Sequence, residues 1–174
     1  MITKKRSCYI LLLSCFFMLV NSCSTKKKSW ISRQYHNTTA RYNGYYNGSE
    51  SIKYGIKKIH NSFVDDYSTV LPVFRTGNLK KAKSTLPYMD KAIQKGSIVI
   101  QKHSIKIRGK EYCRWIDDNY LMVGKAYFYK GEFDEAAKTF SFITEEYKKS
   151  LISHEAYLWL SRCYIEKGDY VSAE

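Results

Sequence analysis

The chain has 174 residues, with 29 lysines and arginines against 16 aspartates and glutamates, a net charge of +13, 16 tyrosines and two prolines. The scarcity of proline and the abundance of helix-forming residues after residue 38 predict an all-α architecture. No apolar stretch reaches the roughly 20 residues needed to cross a bilayer, which excludes a membrane-spanning helix.

The N-terminus has the features of a secretory signal. Three cations lie within the first six residues, and an apolar run follows from Tyr9 to Val20. Cys23 comes directly after Val20-Asn21-Ser22, an apolar-to-small sequence that resembles a lipobox. Residues 1–22 are therefore predicted to be a lipoprotein signal peptide, with Cys23 as the acylated residue. The alternative is an ordinary signal peptide that is cut nearby.

Residues 23–37 lack periodicity and are interpreted as a lipid-anchored tether. Lys26, Lys27 and Lys28 would lie near the membrane, where they could either bind anionic headgroups or remain solvated. Basic charge interleaved with tyrosine would favour nucleic acid in a cytoplasmic protein, but the export signal argues against that partner.

Apolar and aromatic residues follow a helical spacing from residue 38 to residue 63. The Asn47-Gly48 pair within them predicts a turn and a new helix, and hence a helical hairpin. Residues 65–78, which include Pro72, are predicted to form a connector. Residues 38–110 as a whole are interpreted as degenerate helical hairpins.

A further helix is predicted to begin at Ser84 or Thr85 and to continue to about His103, because Pro87 suits its first turn. The segment 104–110 after it is predicted to be a basic loop.

Residues 111–174 carry the strongest internal signal. Two copies of one pattern, 37 residues apart, follow the tetratricopeptide order of aromatic, small, aromatic, turn glycine and alanine. The second copy is truncated, and the chain stops within a new helix, so a longer protein is expected. The predicted repeat-packing residues are Tyr120, Gly124, Tyr127, Gly131, Ala136, Phe140, Tyr157, Leu160, Tyr164, Gly168 and Ala173.

No motif for nucleophilic catalysis, phosphate binding or metal binding is present, and no cofactor is predicted. His36, His60, His103 and His154 are far apart and are interpreted as surface or structural residues. Cys113 and Cys163 could pair in an oxidising compartment, but two small buried side chains in helices are favoured.

The run from Tyr35 to Gly48, YHNTTARYNGYYNG, resembles the start of the tetratricopeptide lipoprotein family known as SprE or PorW. Residues 65–67, 71–74, 89–93 and 115–118 strengthen the resemblance, which covers nearly all of residues 23–174. The resemblance implies an outer-membrane lipoprotein of Bacteroidota that is needed for type IX secretion and, in gliding species, for motility. It implies no catalytic residues.

The predicted function is thus a non-catalytic adaptor on the periplasmic face of the outer membrane, which links the secretion translocon to the periplasmic core complex. Its partners would be other secretion proteins, with no small-molecule substrate. Tyrosine and arginine favour interfaces, so Tyr42, Tyr45, Tyr46, Arg108 and Arg114 are candidate contacts. Two alternatives are an outer-membrane barrel-assembly lipoprotein and the targeting module of a cell-wall enzyme.

Overall fold

The computed structural model of the protein describes residues 29–62, 64–68, 70–71 and 83–174. The predicted signal peptide, Cys23 and the tether as far as residue 28 lie outside these residues. The described part is mostly helical, as the composition predicts, and contains one small β-hairpin.

The elements follow one another along the chain, and each helix from α2 onward packs against the next. They are α1 (Trp30–Thr39), a π-helical segment (Ala40–Tyr46), α2 (Asn47–Ser62), α3 (Leu86–His103), β1 (Lys106–Ile107), β2 (Lys110–Glu111), α4 (Ile116–Lys130), α5 (Phe133–Glu146), α6 (Leu151–Glu166) and α7 (Tyr170–Ala173).

The tether prediction is wrong from residue 30 onward, because α1 begins there. The Ser29 hydroxyl accepts a hydrogen bond from the Ser32 N–H at 3.2 Å and caps the helix. The buried positions of this stretch are His36 and Ala40, a polar and a small residue. A search for apolar periodicity therefore finds no helix here.

The predicted turn at Asn47-Gly48 is also wrong, since helical structure continues without a break from residue 30 to residue 62. Gly48 is buried within α2, and a Cβ atom at this position would collide with the Met122 thioether of α4. The glycine allows a close helix approach here. The helical hairpin is formed by α2 and α3 instead.

Helix α3 has the predicted bounds. The Thr85 carbonyl accepts hydrogen bonds from the N–H groups of Tyr88 at 3.0 Å and Met89 at 3.3 Å, and Pro87 lies in the first turn. The helix ends at His103.

The predicted basic loop over 104–110 contributes to a β-hairpin. Lys106 pairs with Glu111 and Ile107 pairs with Lys110 in an antiparallel register. Arg108 and Gly109 form the two-residue turn, with φ values of 50° and 76°. A positive φ at both central residues matches the twist of the two strands.

The turn after α4 is repeated after α6. Gly131 has a φ of 87°, its N–H donates to the Phe128 carbonyl, and the next N–H donates to the Tyr127 carbonyl. Gly168 has a φ of 76° and the same pair of bonds, to Ile165 and Tyr164. Both helices thus end in the same glycine-dependent cap, 37 residues apart in the sequence.

The core between α4, α5 and α6 is aromatic. The Phe128 and Trp159 rings meet edge to face at 5.2 Å, and the Phe140 and Trp159 rings stack at 6.0 Å. Gly124 faces Phe140 so closely that a Cβ atom would lie 2.5 Å from the ring. A second cluster of buried apolar side chains, which includes Ile52, Met89 and Met122, joins α2, α3 and α4.

Candidate partner-binding site

One wall of the candidate site is the helix formed by α1 and the π-helical segment. Gly44 of that segment packs so closely on α3 and α4 that a Cβ atom would collide with Val99 and lie 2.7 Å from Asn119 Oδ1. The Asn119 amide donates to the Ala40 carbonyl at 3.3 Å and to the Trp115 carbonyl at 2.5 Å. These contacts hold the π-helical segment against the start of α4.

A groove of about 700 Å³ lies beside this helix. Its second wall consists of the β-hairpin and the loop that connects the hairpin to α4. We call it the arginine–tryptophan groove, after Trp30, Arg33, Arg41, Tyr42, Arg114 and Trp115, which line it together with β2 residues. Trp30 is 69% exposed and Tyr42 is 52% exposed.

Three cations of the groove, Arg33, Arg41 and Lys110, lie over aromatic rings. The Arg41 guanidinium carbon is 5.1 Å from the centre of the Trp115 ring and 5.2 Å from that of Tyr42. Arg33 and the Lys110 ammonium lie over the Tyr112 ring, at 5.4 and 5.6 Å. Such contacts orient a cation without neutralising its charge.

The carboxylate of Glu111, which also lines the groove, is bound to the backbone. Its Oε1 accepts hydrogen bonds from the N–H groups of Ile105 at 2.8 Å, Tyr112 at 2.9 Å and Cys113 at 2.8 Å. Its Oε2 accepts from the Ser104 hydroxyl at 2.5 Å. Glu111 therefore fixes the loop that carries Arg114.

Asn37 connects α1 to the same loop. Its side-chain oxygen accepts from the Arg114 N–H at 2.8 Å, and its amide donates to the Arg33 carbonyl at 2.8 Å. Asn37 thus joins the two walls of the groove, and Glu111 orders the wall that the hairpin and its following loop form.

The structure divides the five predicted contact residues between surfaces. Tyr42 and Arg114 line the arginine–tryptophan groove. Tyr45 is half-buried, with its ring 5.3 Å from that of Trp115. Tyr46 is exposed on the π-helical segment, and Arg108 is exposed at the tip of the β-hairpin. Sequence reasoning missed Arg33 and Arg41, whose helix was assigned in part to the tether.

A second, smaller groove of about 310 Å³ lies between α2, α4 and α6, and we call it the inner groove. Apolar side chains such as Ile56, Met122 and Trp159 line it, together with Asp118, Lys125 and Glu155. Lys125 and Glu155 form an ion pair at 2.5 Å. The inner groove is thus mainly apolar, unlike the arginine–tryptophan groove.

Asp118 of the inner groove has a perturbed carboxyl group. Burial, followed by repulsion from Asp117 and then from Glu155, raises the pKa of Asp118 from 3.8 to about 6. The folded state therefore favours the neutral acid, and the ionised form at neutral pH is destabilising.

We expect Asp118→Asn to raise the free energy of unfolding by about 1 kcal/mol at pH 8, after allowance for solvent screening of this half-buried group. The gain should shrink progressively as the pH falls from about 6 towards 3.8, because the native carboxyl is then protonated while the unfolded one still ionises, and it should be absent below pH 3.8. Urea unfolding at a series of pH values would measure it. Glu145→Gln, at an exposed position, is the control. An equal gain from both substitutions would contradict this assignment.

The predicted repeat-packing residues differ in burial. Gly124, Ala136 and Phe140 are buried, whereas Tyr120, Tyr127, Gly131, Leu160, Tyr164 and Ala173 are partly buried and Tyr157 and Gly168 are exposed. Ser161, which occupies the place of Gly124 in the second copy, donates through its hydroxyl to the Ala173 carbonyl at 2.5 Å.

His36 and His103 form a pair that sequence reasoning missed. Their Nδ1 atoms lie 2.9 Å apart, and both side chains are buried. The two residues are 67 positions apart, and no local spacing indicates the contact. They line a groove of about 760 Å³ with Lys95, Lys102 and Lys106, which we call the histidine groove. His60 and His154 are exposed.

The two cysteines are free thiols in separate clusters. Cys113 lies in the loop before α4 rather than in a helix, and Cys163 lies in α6 beside the aromatic core. Burial raises the pKa of Cys113 to about 11 and that of Cys163 to about 12. Both are therefore protonated at neutral pH.

No group of three or more histidine, cysteine, aspartate or glutamate residues within the described ranges is placed to hold a metal ion. None of the helices that the structure describes combines the length and the apolar character needed to cross a membrane. No protein-family model matches the sequence, and no curated protein matches it at a significant level.

Proposed function

We propose that this chain is part of a non-catalytic adaptor of the type IX secretion system. In this proposal Cys23 anchors it to the periplasmic face of the outer membrane, and its helices link the translocon to the periplasmic core complex. The motif from Tyr35 to Gly48, with its resemblance to the SprE or PorW family, supplies the secretion assignment.

One observation carries the adaptor role. The Tyr35–Gly48 motif forms part of one helix that buries His36, Ala40, Gly44 and Gly48 against the other helices. The same helix leaves Tyr35, Tyr42 and Tyr46 more than half exposed. Exposed aromatic side chains on a rigid element, beside arginines, are typical of protein interfaces.

We also propose that the helices form a tetratricopeptide-type solenoid. The support is the shared cap at Gly131 and Gly168, with the same two backbone hydrogen bonds. The close approach of Gly124 to Phe140 fits the small position of that repeat. Such helix pairs present extended surfaces to partners and need no reactive group.

An affinity purification of the full-length, membrane-extracted protein from its own cells tests the assignment. We expect translocon or core-ring proteins to co-purify, and to be reduced when Cys23→Ala removes the anchor. Cys15→Ala, which removes a cysteine from the predicted signal peptide, is the matched control and should leave recovery unchanged. Recovery of barrel-assembly proteins or wall-processing enzymes instead would overturn the proposal in favour of one of those functions.

A further inference from the structure

We infer that the arginine–tryptophan groove binds an acidic peptide segment of a protein partner. This inference rests on the proposed adaptor function and states which chemistry the adaptor recognises. It follows from the charge of the groove, the position of its arginines and its concave shape.

The groove has an excess of positive charge. Arg33, Arg41, Lys110 and Arg114 line it, and none of the four forms an ion pair with a carboxylate of the described residues. The carboxylate of Glu111 is the acidic group among the lining residues, and it already accepts four hydrogen bonds from the chain itself. An incoming anion would therefore have little competition.

The arginines carry the chemistry that carboxylate recognition uses. The Arg41 guanidinium carbon lies 5.1 Å from the centre of the Trp115 ring and 5.2 Å from that of Tyr42, and a cation over a ring keeps its charge. The N–H groups of a guanidinium match the two oxygens of a carboxylate. Arg33 and Arg41 lie on one wall and Arg114 on the other, so the site fits a segment with several carboxylates better than a single small anion.

The shape favours a peptide over a membrane surface. The arginines line a concave groove of about 700 Å³ from two sides, and an extended peptide can enter such a groove more readily than the flat surface of a bilayer can. Asn37 joins the two walls and Glu111 orders the hairpin wall, which reduces the entropy lost when a segment binds.

The test uses full-length protein in neutral phosphatidylcholine nanodiscs and a fluorescein-labelled oligoglutamate peptide, with oligoglutamine as the uncharged probe. Fluorescence anisotropy should show salt-sensitive binding of oligoglutamate and no binding of oligoglutamine.

The double variant Arg41→Gln with Arg114→Gln should weaken oligoglutamate binding by about tenfold or more. The corresponding double lysine variant should restore only part of the affinity, because an ammonium group lacks the planar, two-pronged donor arrangement of a guanidinium. Lys57→Gln with Lys91→Gln removes two exposed charges outside the groove and should change affinity less than about twofold.

Equal losses from the two glutamine pairs would overturn the inference, because they would indicate a response to net charge alone. So would absence of oligoglutamate binding. A tryptophan emission shift in phosphatidylglycerol nanodiscs that depends on Arg41 and Arg114, without peptide binding, would assign the groove to anionic lipid instead. The peptide assay needs no secretion protein, so its failure and that of the affinity purification are distinguishable.

Discussion

Replacement of Phe140 by alanine is expected to lower the free energy of unfolding by about 3–5 kcal/mol. The Phe140 side chain is fully buried and stacks on Trp159 at 6.0 Å. Part of the wall around it is the backbone at Gly124, which has no side chain to fill the space. The cavity would therefore persist, and urea unfolding followed by circular dichroism would measure its cost.

Phe142→Ala is the matched control on the same helix. Phe142 is 39% exposed, and its ring contacts those of Tyr120 at 4.8 Å and Tyr147 at 6.2 Å. We expect this substitution to cost about 1 kcal/mol, because less apolar surface is lost and no enclosed cavity forms. Similar losses at the two positions would show that the aromatic core between α4, α5 and α6 is not packed as described.

Acidification is expected to destabilise the protein through the His36–His103 pair. Their hydrogen bond needs one nitrogen as donor and the other as acceptor, and a proton gained by His103 would place a charge in this buried pair. Burial, the proximity of His36 and the charge of Lys102 lower the pKa of His103 below 6.5. Lys95 and Lys106 line the same groove, and no carboxylate lines it.

The sign of the effect follows from this lowered pKa. The unfolded imidazole titrates near 6.5 and binds a proton more readily than the native one. The contribution of His103 to stability is therefore complete well above pH 6.5 and is lost as the pH falls through that value. The slope is at most about 1.4 kcal/mol per pH unit for one proton.

His103→Gln removes the titratable imidazole and keeps a side chain that can donate and accept hydrogen bonds. Between pH 8 and pH 5 the wild-type protein should lose more stability in urea unfolding than this variant does, by no more than about 2 kcal/mol. Asp118 acts in the opposite direction but is common to both proteins. His154→Gln, at an exposed position, should follow the wild-type curve. Parallel curves for wild type and His103→Gln would contradict the proposed role of the pair.

The helices after residue 85 could be predicted because local signals mark their ends. Pro87 sets the first turn of α3, and Gly131 and Gly168 adopt the positive φ that their caps require. These residues act through their own backbone conformations, which depend little on distant parts of the chain.

The N-terminal helix could not be predicted in the same way. Its buried face carries His36, Ala40 and Gly44, none of which gives an apolar period. Gly48 has turn propensity, yet α2 uses it for close packing against Met122. Tertiary contacts decided both outcomes, because they outweigh propensities of about 1 kcal/mol per residue.

The sequence by itself determined the helical class, the two glycine caps and the excess of positive charge, because each depends on composition or on a single residue. Only the tertiary structure decided where that charge is concentrated and which distant residues meet. Asn37 hydrogen-bonds to the backbone of both Arg33 and Arg114 and so places the two arginines at one groove. His36 contacts His103, which lies 67 positions further along the chain. Such contacts depend on how whole helices pack, which no local spacing encodes.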